Sequence, residues 1–139
     1  MRLSKIAKDY NLRLTQINKK NAKKLKEIYD LDEVKENGYV IDNEHIILGI
    51  FDDYEKKLAT LFHEIGHTLV SKKFENLVNE DTSLIEYEAW IRGLKEAKKR
   101  GIYFSGKTFK YILKCINTYY DSSIRSYNKR SPKWKRKNY

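Results

Sequence analysis

The run Leu58–Ser71, LATLFHEIGHTLVS, constrains this chain more than any other stretch. It is apolar on nearly every side, and its one formal charge is Glu64. A helix of that composition has no solvent face, so a buried helix with other elements packed around it is expected. Asp52 and Asp53 offer N-caps for a start near Tyr54, and the helix is expected to run to about residue 74. Burying one carboxylate in such a helix is costly unless a charge or a hydrogen-bond partner compensates. A divalent metal supplies that compensation, directly or through a bound water.

His63 and His67 are four residues apart, so a helix carries both imidazoles on one face about a turn from each other. Two imidazoles so placed can share a tetrahedral zinc at roughly 2.0–2.1 Å each. Glu64, beside the first histidine, then reaches the metal-bound water rather than the metal. Zinc lowers the pKa of that water towards about 7, and Glu64 takes its proton and later delivers it to the leaving amine. This is the H-E-x-x-H pattern with its mechanical reason. The plainer alternative is a core helix whose histidines merely find hydrogen bonds. Gly66 costs about 1 kcal/mol relative to Ala inside a helix. Its presence predicts something close against it, such as a strand or the substrate backbone.

A catalytic zinc needs a third protein ligand and an open position. Glu75, Glu80, Asp81, Glu86 and Glu88 follow the motif, and His45 precedes it. The next helix, capped by Thr82 or Ser83 and stopping at Gly101, separates the two best. Glu86 shares a face with Ala89, Trp90, Gly93 and Ala97, which is small and apolar and should pack inward. Glu88 shares a face with Arg92, Lys95 and Lys99, which should be solvated. Glu86 is the expected ligand, with Glu88 as the fallback. A carboxylate that merely favours the helix dipole is the competing reading of Glu86.

HEIGH followed by IEYEAW resembles the ImmA/IrrE family of small metallopeptidases, which pairs an HExxH helix with a glutamate in a downstream E-x-x-A motif. The matching residues are His63, Glu64, His67, Glu86 and Ala89, and the resemblance spans roughly residues 38–100. Where that family often has Asn or Asp and then an F-A pair, this chain has Trp90 and Gly93-Leu94, which suggests a divergent, phage-type branch. The resemblance implies a minimal gluzincin-like fold, with a small mixed sheet against the active-site helix and an edge strand that aligns substrate by β-addition. His45–Phe51 is the candidate for that strand. It also implies a protein substrate, such as a DNA-bound regulator.

The rest of the chain reads as one α+β domain, residues 1–124 with a core over 38–120, followed by a basic tail at 125–139. A helical stripe is expected over about 15–29, with a short strand possible at 10–14. Asn37-Gly38 signals a turn. YVIDNEHIILGIF reads as a hairpin around Asp42-Asn43-Glu44, and a last helix is expected over about Lys107–Tyr120. Of the residues that can support an oxyanion, His45, Tyr103, Tyr111, Tyr119 and Tyr120 are all available. Cys115 reads as a small buried apolar residue.

The 139 residues fit one domain, and at 40% hydrophobic they can bury a core. With one cysteine, no membrane-length apolar run and no apolar leader in MRLSKIAKDY, a cytoplasmic protein is expected. The net charge of +10 is unevenly spread: +8 over residues 1–26, −11 over 27–91 and +13 over 92–139. The tail interleaves seven basic residues with Tyr127, Trp134 and Tyr139, which suits phosphate contact and base stacking. A nucleic-acid-binding or regulatory protein with a vestigial or structural metal site is therefore the competing function. Hydrolysis of a non-peptide bond by the same water is a third.

Overall fold

Residues 2–73 and 82–130 are described by a computed structural model, with side chains described for 2–70 and 83–118. The elements are α1 (Leu3–Asp9), β1 (Arg13–Gln16), α2 (Ala22–Ile28), β2 (Gly38–Ile41), β3 (His45–Leu48), α3 (Tyr54–Lys73), α4 (Thr82–Lys99) and α5 (Gly106–Arg130). The result is an α+β fold, a small mixed sheet set against helices. The expected loop at 75–83 lies almost wholly outside the described residues, as do Glu75, Glu80 and Asp81.

The sheet has the order β1-β3-β2, with β3 parallel to β1 and antiparallel to β2. HIIL takes the centre, where both faces of a strand are covered, and all four of its residues are buried. Alternation sends Ile46 and Leu48 into a cluster with Ile6 of α1 and Leu61, Phe62 and Ile65 of α3. Ile47 points the other way, to Ile17 and Leu31. The expectation that His45–Phe51 is the substrate-aligning edge is thus corrected. The edge strand that reaches the motif helix is β2.

The hairpin turns at Asp42-Asn43, with φ of 53° and 57° and the Glu44 N–H donating to Ile41 O at 3.1 Å. Two left-handed residues are what a tight hairpin turn demands, and Asp and Asn tolerate that conformation. Asn37-Gly38 does not turn. The left-handed residue there is Glu36, with φ of 49°, and Gly38 opens β2.

The helix expected over 15–29 is split into β1 and the shorter α2. Asn18 Oδ1 accepts the N–H groups of Lys20 and Asn21, both at 2.9 Å, and Asn21 Oδ1 accepts the Asn18 N–H at 2.8 Å. These side chains offer the backbone a turn in competition with helix. Leu14 pairs with Ile46 across the parallel ladder, and the Ile17 N–H donates to Leu48 O at 2.8 Å. Leu14, the first residue of the apparent helical stripe, therefore belongs to a strand, and Ile17 follows it.

α3 starts where expected. Asp53 Oδ1 accepts the Glu55 N–H at 2.8 Å, and Leu58–Gly66 are buried without a break. A Cβ on Gly66 would lie 1.9 Å from Ala89 O, and one on Gly93 would lie 2.2 Å from Phe62 O. The backbones of α3 and α4 touch, and only residues without Cβ permit it. The close neighbour of Gly66 is therefore α4, not a strand or a substrate. α4 ends at Gly101, where the Ile102 N–H donates to Ala97 O at 3.0 Å. α5 lays Ile112 and Ile116 on Ala59 and Trp90. It continues to Arg130 rather than stopping at Tyr120, since no glycine or proline interrupts it before Pro132. Residues 125–130 of the expected tail thus belong to α5, and 131–139 lie outside the described residues. Among the described residues no helix is long and apolar enough to cross a membrane.

Candidate metal centre

The α3–α4 crossing decides what faces His63 and His67. With the two backbones in contact at Gly66 and Ala89–Gly93, the residue one turn earlier on α4 comes to lie over the imidazoles. That residue is Glu86. Its Oε2 is 2.9 Å from His63 Nε2 and 3.1 Å from His67 Nε2. The two rings lie 4.7 Å apart and are tilted by 50°. The three ligand atoms all fall within 4.8 Å of one another, and the group can hold a metal ion. A tetrahedron with bonds of 2.0–2.1 Å has edges of about 3.4 Å. The two separations from Glu86 Oε2 are a few tenths of an ångström shorter than that edge. Glu86 is in this group and Glu88 is not, but both are half-buried, so the expectation that Glu88 is solvated is not met.

Two observations test whether a cation fits. First, His63 Nε2 is shielded from water and makes no well-directed hydrogen bond. The Glu86 oxygen is close to it but off its hydrogen-bonding axis, so that contact is a charge contact, whereas His67 makes a true hydrogen bond. Second, two carboxylates face the two imidazoles. Burial works to raise the Glu86 carboxyl, but the two imidazoles against it hold it down at about 2. Burial raises Glu64, which is 5% exposed, above the ordinary carboxylate range, with the nearby imidazoles pulling the other way. Burial lowers His67, but the hydrogen bond and charge of Glu86 and the charge of Glu64 carry it above its usual value. A buried and a half-buried carboxylate, with no lysine or arginine among the described residues that line the clefts, can take a cation.

Glu64 is fixed from the sheet side. A Cβ on Gly38 would lie 2.8 Å from Thr60 Cγ2 and 3.0 Å from Glu64 Cγ. Gly38 is thus a close-approach glycine that seats the carboxylate under β2. The signal for it, a glycine opening a strand, was visible in the sequence but was absorbed by the Asn-Gly turn reading.

Two clefts meet at this carboxylate. The larger, of about 470 Å³, is lined by β2, the hairpin turn, Glu64, His67, Ile85 and Glu86. The smaller, of about 180 Å³, includes Glu36, Asn37, His63, Trp90, Tyr111 and Cys115. β2 runs between them with one side open. The Gly49 N–H donates to Asn37 O at 2.7 Å, which marks that pair as hydrogen-bonded. Antiparallel pairs alternate, so Gly38 opposite Leu48 and Val40 opposite Ile46 are the non-bonded pairs. Their N–H and C=O groups face the open side, and both residues line the larger cleft.

Of the residues weighed for the oxyanion, Tyr111 borders the smaller cleft. His45 does not reach the site. The alternation of β3 turns it to the far face of the sheet, where its Nε2 meets Thr15 Oγ1 at 2.6 Å and its ring abuts Tyr29. Tyr103 is 79% exposed, and the side chains of Tyr119 and Tyr120 lie outside the described residues. Cys115 is half-buried beside Tyr111, and burial pushes its thiol up. Trp90 does more than fill the inward face of α4. Its indole stacks face to face on His63, with centroids 4.2 Å apart and planes 6° apart. No sequence pattern short of the helix crossing itself announces that contact. Among known proteins, no family model, no curated protein and no solved structure matches this chain.

Proposed function

We propose that the protein is a zinc-dependent metallopeptidase of zincin-like design that cuts peptide bonds of a protein substrate. The observation that carries this reading is the meeting of His63, His67 and Glu86 at one point, with buried Glu64 beside it and an open strand edge alongside. Two imidazoles, one carboxylate and an open position suit zinc. The resemblance of HEIGH and IEYEAW to the ImmA/IrrE metallopeptidases supports the same assignment.

His63, His67 and Glu86 would hold the ion. When bound, zinc supplies an acidified water and polarises the carbonyl that is attacked. The remaining work falls to the chain. Glu64 accepts the proton of the attacking water and passes it to the leaving amine, and a carboxyl lifted by burial is suited to carrying that proton. Gly38 keeps Glu64 in place. The open groups of Gly38 and Val40 hold the substrate as an added strand. Trp90 fixes the plane of His63. Tyr111 is the side chain we assign to the oxyanion.

Elemental analysis of the purified protein should give about one zinc per chain, set by a single tetrahedral group. Glu64→Gln should keep the zinc and lose proteolysis of a casein or peptide substrate. Full activity in that variant would remove the mechanism.

A further inference from the structure

The charge of the two clefts runs against the charge of the molecule. The chain carries 29 Lys and Arg and a net charge of +10. Yet, among the described residues, no lysine or arginine lines either cleft, and apart from the two imidazoles every charged lining residue is acidic. Glu64 and Glu86 belong to the centre itself. The other two, Glu36 and Asp42, stand at opposite ends of β2 and are both exposed. Neither forms an ion pair among the described residues. Lys35 precedes Glu36 and lines neither cleft, and Lys56 Nζ lies 4.8 Å from the centroid of the Tyr111 ring beside the smaller cleft; neither lysine forms an ion pair with Glu36 or Asp42.

The geometry sets a spacing. Glu36 borders the smaller cleft and Asp42 the larger, with Gly38 and Val40 between them. The four extended residues of β2 between them span about 13 Å. A peptide added along this edge would therefore meet one carboxylate on each side of the metal centre. A separate observation bears on the smaller cleft: Trp90 Nε1, on one of its lining residues, is buried without a hydrogen-bond partner.

We propose that the site selects extended peptide segments bearing lysine or arginine on both sides of the bond presented to the metal centre, through Glu36 and Asp42. The cleavage step rests on the peptidase reading above, whereas the charge selection is a property of binding alone. The bulk charge of +10 works in the opposite direction and would by itself favour acidic peptides. The sign of the preference is therefore decisive.

The test uses the full-length, zinc-loaded Glu64→Gln variant and fluorescein-labelled eight-residue peptides that differ only in flanking Lys, Gln or Glu. Anisotropy should show the Lys peptide binding about tenfold tighter than the Gln peptide at low salt, the Glu peptide weakest, and the gap closing as salt is added. Adding Glu36→Gln and Asp42→Asn should abolish the gap, and the single Glu36→Gln should halve it on a logarithmic scale. Equal binding of the three peptides, no binding at all, or a gap that survives both substitutions overturns the proposal. Wild-type protein then separates the two readings. Charge-selective binding with no cleavage of any peptide removes the peptidase reading and leaves the ligand class standing. Cleavage without charge preference does the reverse.

Discussion

The α3–α4 crossing and the β1–α2 segment fix their geometry by different means. At the crossing, two backbones touch at Gly66 and Gly93 with no side chain between them. In the β1–α2 segment, the path of the chain is set by Asn18 and Asn21 bonding to each other's backbone at the surface, and α2 buries none of its residues. The first arrangement has no slack and carries the candidate ligands. The second is adjustable and carries none. Precision in this molecule is concentrated where backbone meets backbone, because a contact without rotamers cannot drift.

The largest break in that contrast should come from Gly66→Ala. The added Cβ would sit 1.9 Å from a carbonyl oxygen that cannot rotate away. Overpacking of this kind costs about 1–3 kcal/mol or more, against roughly 1 kcal/mol recovered in helix propensity. Urea unfolding should show the net loss. Zinc titration of the folded fraction should show weakened binding as well, since parting the helices draws Glu86 off the imidazoles. Unchanged zinc affinity in a measurably destabilised Gly66→Ala protein would break the link between the crossing and the centre.

Next in size is the loss of the carboxylate alone. Glu86→Gln should lower zinc affinity by more than the roughly 10–100-fold typical of losing an outer-sphere partner. Glu88→Gln, one turn face away, should leave zinc affinity unaltered. A competition assay with a chromophoric chelator reads both.

How much of this was legible follows from the same contrast. The spacing of His63 and His67 and the inward face of Glu86 were readable because a helix of fixed period carries each set, and because Ala89, Gly93 and Ala97 are too small to face water usefully. Which strand lies at the edge was not readable. HIIL and YVI are similar apolar runs, and only the parallel pairing of Leu14 with Ile46 makes β3 central. That pairing was hidden by the helical spacing that Leu14 and Ile17 share with Leu25 and Ile28. The stack of Trp90 on His63 was invisible for a related reason, since it depends on two helices meeting rather than on either alone.

In the adjustable region the effect should be smaller and confined. Asn18→Ala removes an acceptor of two backbone N–H groups. By analogy with a lost helix cap it should cost about 0.5–2 kcal/mol. It should leave zinc binding and the charge preference of the cleft untouched. A change in zinc affinity there would mean that the two regions are coupled after all.

The smallest effect is expected at the far end of α4, where Glu96 ties that helix to α1. Burial works to raise its carboxyl, but hydrogen bonds from Lys99 and Tyr10, with the charges of Lys99 and Arg92, bring it below the ordinary value of 4.5. The Tyr10 hydroxyl donates to Glu96 Oε1 at 3.0 Å and Lys99 Nζ to Oε2 at 3.1 Å. A carboxyl held down in the folded state stabilises the fold fully above its unfolded pKa, and that stability is lost as pH falls through the lower folded pKa. Wild type should therefore lose stability relative to Glu96→Gln as pH falls below about 4.5, since the glutamine has no proton to take up. Denaturant melts of the two proteins between neutral and acid pH measure this as a difference of differences, which cancels the other carboxylates, Glu86 among them. Parallel acid limbs would mean that the surface partners of Glu96 are screened away and that the α3–α4 crossing is held by its backbone contacts without help from the charges at its end.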